Sequence, residues 1–194
     1  MQRYEVRFSG SGGQGIITAA VVFADAVGSF DGKHVCQTQS YGPEARGGKS
    51  KAEVVISQGP IDYPKALSVD LLLAMTQAAC DAYFFDIKPE GLLVVDADLV
   101  EQIPTSRAVA IPFTRLAKEK AGRELVANMV ALGAVAALSK QVTMESVEKA
   151  LLARVPKGTE DMNKVALAAG VEAASAIDLA NLPRSVASDW EEEL

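Results

Sequence analysis

Cysteine and histidine are scarce in this sequence of 194 residues, which contains two cysteines and one histidine. Cys36 and Cys80 lie far apart and form no C-x-x-C pair, which disfavours a disulfide framework or an iron–sulfur or zinc site carried by this chain alone. The single His34 offers too few donors for a histidine metal site, and we predict no metal ligand. Two reduced thiols fit the cytosol, so we expect a cytoplasmic protein.

Positive charge is also in deficit, because 19 Lys and Arg face 25 Asp and Glu and give a formal net charge of -6. Nucleic-acid binding needs a basic surface, so we expect no nucleic-acid partner. Long apolar runs are missing as well. The longest, Met129 to Leu138, is too short to cross a bilayer, and residues 1–8 show no apolar signal core. We therefore expect no membrane association.

Strand and helix patterns alternate along most of the chain. Tyr4, Val6 and Phe8 alternate with polar residues, which predicts a strand that runs directly into a glycine-rich turn and then a helix. Further strands are predicted at 34–39, 52–57, 69–75, 92–96 and 107–111, with a helix at about 77–85. This alternation predicts a three-layer α/β/α fold with a mainly parallel sheet.

The C-terminal third is predicted to be helical, in segments at about 115–120, 124–139, 144–153 and 159–180. Thr143 is a suitable N-cap for the third of these helices. Residues 125–138 are apolar nearly all round, which predicts burial in the core or at a subunit contact. We expect a single α/β domain over residues 1–180 and an acidic C-terminal tail over residues 181–194.

The glycine-rich turn reads Gly10-x-Gly12-x-x-Gly15 between a strand and a helix. Glycine allows a tight turn and a close ligand approach, and the helix start offers free N–H groups to an anion such as a phosphate. The second predicted strand contains no Asp or Glu to hold a ribose, so NAD binding in the usual manner is disfavoured. An alternative is that the glycines only pack the strand against the helix.

A second loop at 40–48 follows the second predicted strand and carries Tyr41, Glu44 and Arg46. In a parallel sheet this loop should start at the same edge as the glycine turn, where such sheets bind ligands. Arg46, with Lys49 and Lys51, forms a basic patch suited to a phosphate or a carboxylate. The alternative is that Glu44 and Arg46 form an ion pair with each other or with a partner surface.

Two motifs together resemble a known family. Residues 9–16 (SGSGGQGI) and 39–48 (QSYGPEARGG) are similar to the gamma subunit of 2-oxoacid:ferredoxin oxidoreductases and to the gamma domain of pyruvate:ferredoxin oxidoreductase. Residues 52–57 and 128–133 continue the resemblance, which covers the chain from residue 3 to about 175. Within the family, the Asp-Tyr-Pro step at 62–64 looks most like the 2-oxoglutarate enzyme.

The resemblance implies a subunit that is inactive alone and carries no catalytic residue. The complex would oxidatively decarboxylate a 2-oxoacid, 2-oxoglutarate in our interpretation, to an acyl-coenzyme A and reduce ferredoxin. Thiamine diphosphate and iron–sulfur clusters would lie on partner subunits, named alpha, beta and ferredoxin-like delta. The gamma subunit would contribute to coenzyme A binding and to closure of the active site. Consistent with this division, the sequence has no Gly-Asp-Gly…Asn-Asn motif for thiamine diphosphate.

The resemblance also selects the candidate residues of a coenzyme A site. We predict that residues of the glycine turn present backbone N–H groups to phosphate or pantetheine atoms, and that Gln14 adds a side-chain amide. We expect residues of the second loop to reach the coenzyme or the thiamine subunit. A later polar residue, Asn128, either bonds to the ligand or caps its own helix. The full set is Gly12, Gly13, Gln14, Gly15, Tyr41, Glu44, Arg46 and Asn128.

Two other interpretations of the sequence stay open. The small subunit of an indolepyruvate oxidoreductase would have the same fold and another substrate. A free-standing nucleotide-binding or regulatory module would use the same glycine turn without partner subunits.

Overall fold

A computed structural model describes residues 3–41 and 49–183. Within these residues the chain forms one six-stranded sheet and six α-helices. The strands are β1 (Arg3–Ser11), β2 (His34–Tyr41), β3 (Lys49–Ser57), β4 (Val69–Ala74), β5 (Ile87–Asp96) and β6 (Ala108–Ile111). The helices are α1 (Ile16–Asp25), α2 (Gln77–Tyr83), α3 (Phe113–Ala121), α4 (Ala127–Ser139), α5 (Met144–Leu152) and α6 (Glu160–Ser175). A π-helical turn covers Ala26–Phe30, and 3₁₀ turns cover Phe84–Asp86, Glu124–Val126 and Leu179–Asn181.

The strand order across the sheet is β2-β3-β1-β4-β5-β6. Strands β1, β4, β5 and β6 are parallel, whereas β3 is antiparallel to both of its neighbours, β1 and β2. The mainly parallel sheet is therefore confirmed, with an antiparallel hairpin added at one side. Because two antiparallel steps restore the direction, β2 runs the same way as β1. The ends of β1 and β2 consequently lie at one edge of the sheet, as predicted.

The β2–β3 hairpin is longer than the sequence patterns predict. Tyr41, predicted in the loop, pairs with Ser50, and Lys49 pairs with Ser11 of β1, so both strands extend beyond their predicted bounds of 34–39 and 52–57. Strand pairing satisfies the backbone groups of these residues. The sequence did not predict this pairing, because the neighbouring residues are of the types that form turns. Residues 42–48 lie outside the described residues.

Helices cover the two faces of the sheet unequally. One face packs against α1 and α3 to α6 in a large apolar core, and the other packs against α2 and connecting segments in a smaller one. The three-layer architecture is confirmed. The described chain ends at residue 183, and the domain boundary at 180 with its acidic tail remains a prediction.

Helix α4 forms the centre of the larger core, with every residue except Ala137 buried. A Cβ on Gly133 would overlap the carbonyl oxygen of Leu167, and a Cβ on Gly170 would overlap that of Val130. The backbones of α4 and α6 therefore touch. The core explains the predicted burial from residue 126 to 138, apart from the half-buried Ala137. The prediction is wrong for Leu125, which is 74% exposed because it lies in the 3₁₀ turn that precedes α4. The predicted N-cap is also confirmed, because the Thr143 hydroxyl accepts from the backbone N–H of Ser146 at 3.3 Å.

A buried charge network occupies the face of the sheet that packs against α2. The Arg7 guanidinium is 2% exposed, donates to Glu53 at 2.9 Å, pairs with Asp86 and lies 5.3 Å from the centroid of the Tyr83 ring. Lys51 donates to Glu53 at 2.8 Å. Burial by itself raises the pKa of Glu53, but the Lys51 hydrogen bond and the charges of Arg7 and Lys51 hold that pKa below its ordinary value.

The contacts of Glu53 in this network predict how the substitution Glu53→Gln changes stability. The substitution should lower the free energy of unfolding by about 2–4 kcal/mol at about pH 7, since it leaves a buried cation short of a partner. The native carboxylate has a lowered pKa, so its contribution is present above the unfolded value of 4.5 and is lost as pH falls through the folded value. Urea unfolding should therefore show that the free energy of unfolding falls less in the variant than in the native protein when the pH is lowered below 4.5. The matched control Glu124→Gln, at an exposed ion pair with Lys118, should change little.

Candidate functional site

The glycine turn connects the end of β1 at Ser11 to the first residue of α1, Ile16. Gly13 and Gly15 adopt positive φ angles of 92° and 71°, a region that side chains disfavour. Gly15 is the N-cap of α1, where it provides no side-chain cap, and the first turn of α1 contains no acidic residue. The positive end of the helix therefore lacks a carboxylate of its own.

Open space lies above Gly12 and Gly13. Both residues are exposed, and a Cβ added to either one would meet no atom of residues 3–41 and 49–183 within 4 Å. In the described part of the chain, the N–H groups of these two glycines donate no hydrogen bond. Free main-chain donors beside a helix N-terminus form an environment suited to a phosphate or a carboxylate.

Gln14 points back into the protein. Its Oε1 accepts from the Ser11 N–H at 2.8 Å, its Nε2 donates to the Met75 carbonyl at 3.4 Å, and its backbone N–H donates to the Ser11 carbonyl at 3.3 Å. Each side-chain bond uses one hydrogen or one lone pair of the Gln14 amide, which has two of each. The contact of Gln14 with a ligand therefore remains a prediction.

Asn128 lies in the first turn of α4 and contacts the glycine turn. The side chain is buried, and its Nδ2 donates to the Gly15 carbonyl at 3.1 Å. The N-cap of α4 is Val126, so the alternative that Asn128 caps its helix is wrong. Asn128 is 7% exposed, and its described contact is the one with the glycine turn.

The second loop can be placed only by its flanks. Tyr41 is the last residue of β2, at the same sheet edge as the glycine turn. Glu44 and Arg46 lie outside the described residues. Of the predicted basic patch, Lys51 forms the ion pair with Glu53, whereas Lys49 is exposed and pairs in register with Ser11. The sequence predicted Lys49 as part of the basic patch but not its position beside the end of β1, because that register depends on the antiparallel β3.

Other reactive groups in the structure do not converge on a site. The described residues contain no group of three or more His, Cys, Asp or Glu side chains placed to hold a metal ion. Cys36 and Cys80 are free thiols, and burial with the nearby Asp81 raises the pKa of Cys80 to about 11. Among the described helices, none has the length and apolar character to span a membrane.

The sequence and the fold of the chain are similar to those of known proteins over most of its length. The chain is 51% identical over 176 residues to 2-oxoglutarate synthase subunit KorC of Methanocaldococcus jannaschii, which covers 89% of this chain and 94% of that protein. A crystal structure of a keto/oxoacid ferredoxin oxidoreductase gamma subunit from Geobacter sulfurreducens aligns with a TM-score of 0.84 at 49% identity, over 91% of this chain and 98% of that one.

A longer structure shares the fold. The 2-oxoglutarate:ferredoxin oxidoreductase from Magnetococcus marinus, with 2-oxoglutarate, coenzyme A and succinyl-CoA bound, aligns with a TM-score of 0.81 at 23% identity and covers 95% of this chain but 34% of that chain. Residues 5–173 of the present chain match the family model described as pyruvate ferredoxin/flavodoxin oxidoreductase. The chain belongs to the pyruvate ferredoxin/flavodoxin oxidoreductase family.

Proposed function

We propose that the chain is the gamma-type subunit of a thiamine-diphosphate-dependent 2-oxoglutarate:ferredoxin oxidoreductase, where it contributes to coenzyme A binding and active-site closure. The family membership and the 51% identity to a 2-oxoglutarate synthase subunit support the assignment. The observation that carries the coenzyme A role is the exposed pair Gly12 and Gly13 before α1, whose N–H groups donate no hydrogen bond within the described residues. The chemistry belongs to the assembled complex.

Coenzyme A fits the chemistry of this turn. Its phosphate oxygens are strong acceptors, and backbone N–H groups at a helix N-terminus are matched donors for them. We assign Gly12, Gly13 and Gly15 as the backbone donors and Lys49 as a nearby cation. Asn128, whose Nδ2 bonds to the Gly15 carbonyl, belongs to the same proposed site.

The remaining residues of the site are assigned from their position. Tyr41 ends β2 at the edge of the glycine turn, and the sequence between β2 and β3 contains Glu44 and Arg46. We propose that these three residues contact the coenzyme or the thiamine-binding subunit. Thiamine diphosphate and the iron–sulfur clusters are assigned to alpha, beta and ferredoxin-like delta partners, because two separate cysteines are too few for a four-cysteine cluster. The two free thiols support a cytoplasmic complex.

The fold weighs against a free-standing dinucleotide-binding module. In such modules the second strand lies beside the first and carries an acidic residue for the ribose. Here β3 lies between β1 and β2, and β2 contains no Asp or Glu. The similarity to a 2-oxoglutarate synthase subunit likewise favours 2-oxoglutarate over indolepyruvate.

An acidic residue at Thr18 tests whether the helix start binds an anion. Thr18 is exposed in the first turn of α1, so Thr18→Glu should stabilise the helix by about 0.3–1 kcal/mol. The same charge should repel phosphate and raise KM for coenzyme A by about three- to tenfold in the complex. Thr18→Gln is the neutral control of similar size. Equal KM values for the two variants would contradict the anion site. Because Thr18→Glu should stabilise the fold while it weakens coenzyme A binding, a rise in KM would not result from unfolding.

Two glycines of the turn should respond differently to a methyl group. Gly12→Ala should change the free energy of unfolding by less than about 0.5 kcal/mol, because the space is open, yet raise KM for coenzyme A by about tenfold or more. Gly15→Ala should cost at least about 1–2 kcal/mol, because φ is positive and the new Cβ would overlap Asn128. Thermal unfolding and steady-state kinetics of both variants measure the difference. An unchanged KM in Gly12→Ala argues against ligand contact.

Substrate choice is tested on the assembled complex. Ferredoxin reduction with saturating coenzyme A should be fastest, by kcat/KM, with 2-oxoglutarate, when compared with pyruvate, a branched-chain 2-oxoacid and indolepyruvate. A preference of at least about tenfold is expected, since recognition of a second carboxylate needs a charge-assisted partner. A clear preference for another 2-oxoacid would overturn the substrate assignment and leave the coenzyme A assignment untouched.

A further inference from the structure

Two side-chain amides fasten the glycine turn to two different elements of the fold. Gln14 bonds the turn to the end of β4, and Asn128 bonds it to α4. From this geometry we infer that Gln14 and Asn128 are positioning residues for coenzyme A, which hold the free N–H groups of the turn in their binding orientation. The inference rests on the proposed function of the turn and assigns a role to side chains that act through the backbone.

The Gln14 bonds close the turn on the side of the sheet. The side-chain Oε1 takes the Ser11 N–H at 2.8 Å, where the β1 ladder ends, and Nε2 reaches the Met75 carbonyl at 3.4 Å. Met75 is itself fixed, because its N–H donates to the Ser9 carbonyl at 2.9 Å. A Cβ on Gly10 would lie 2.5 Å from Gln14 Oε1. The missing side chain at Gly10 therefore makes room for this amide.

The Asn128 bond closes the turn on the side of the helices. Nδ2 donates at 3.1 Å to the Gly15 carbonyl, which also accepts the Ala19 N–H of α1 at 3.1 Å. A Cβ on Gly15 would overlap Asn128 Nδ2. The missing side chain at Gly15 thus makes room for the Asn128 amide, as the missing side chain at Gly10 does for the Gln14 amide. Of the three fingerprint glycines, only Gly12 would accept a Cβ without an atom of the described residues within 4 Å.

The element that carries Asn128 is itself immobilised. Gly133 of α4 and Gly170 of α6 bring the two helix backbones into contact, so α4 has little freedom to follow a shifting turn. Removal of either amide should therefore loosen the turn and leave its N–H donors present but less well aligned. The expected consequence is weaker coenzyme A binding with unchanged chemistry at a reaction centre on the partner subunits.

The experiment compares variants in the assembled complex. Asn128→Ala and Gln14→Ala should each raise KM for coenzyme A by about three- to tenfold, the worth of one hydrogen bond. The kcat at saturating coenzyme A and the KM for 2-oxoglutarate should stay within about twofold. The matched control is Asn163→Ala on α6, because Asn163 is equally buried and donates to the Thr159 carbonyl at 2.8 Å without touching the turn. That control should lower the melting temperature and leave KM for coenzyme A unchanged.

The outcomes separate the two levels of the proposal. If Gly12→Ala raises KM for coenzyme A while Asn128→Ala and Gln14→Ala do not, the positioning role is wrong and the coenzyme A site stands. Equal effects of Asn128→Ala and Asn163→Ala, or a loss confined to kcat, would also overturn the positioning role. If Gly12→Ala and Thr18→Glu leave KM unchanged too, the proposed function of the turn fails. Should Asn128→Ala prevent assembly, Gln14→Ala decides the question, because Gln14 is only half-buried.

Discussion

The hydrogen bond from Asn128 to the Gly15 carbonyl joins two parts of the chain that are 113 residues apart. It ties the start of α1 to α4, the most deeply buried helix, and α4 is in turn locked against α6 by backbone contact at Gly133 and Gly170. A buried amide without a partner is costly, so this bond also satisfies the one polar side chain at the head of an apolar helix. The geometry of the glycine turn thereby depends on the packing of the whole helical layer.

This constraint explains how a turn rich in glycine keeps a defined shape. Glycine lowers the cost of positive φ angles but increases the freedom of the unfolded chain, so an unsupported turn would lose much of its order. Gln14 and Asn128 supply the missing restraint from β4 and α4, while Gly12 and Gly13 keep their N–H groups free. A preformed set of donors avoids an ordering cost when an anion binds. The turn is thus both open to a ligand and held by the core.

Local signals in the sequence predicted much of this structure. Alternation in β1, the glycine turn before α1, the apolar run of α4 and the Thr143 cap all depend on near neighbours and were confirmed. The insertion of β3 between β1 and β2 was not predicted, because strand order follows from long-range pairing that a single sequence does not display. The same limit hid the hydrogen bonds of Gln14 and Asn128, because the carbonyls that accept them belong to residues distant in sequence.

The central claim is that the turn receives a phosphate group of coenzyme A through its backbone. A structure of the assembled complex with coenzyme A bound, determined by cryo-electron microscopy or crystallography, tests it most directly. We expect a phosphate oxygen at about 2.7–3.2 Å from the backbone nitrogen of Gly12 or Gly13, with the Asn128–Gly15 bond retained. Phosphates bound away from the turn, or a partner side chain filling the space above Gly12, would contradict it.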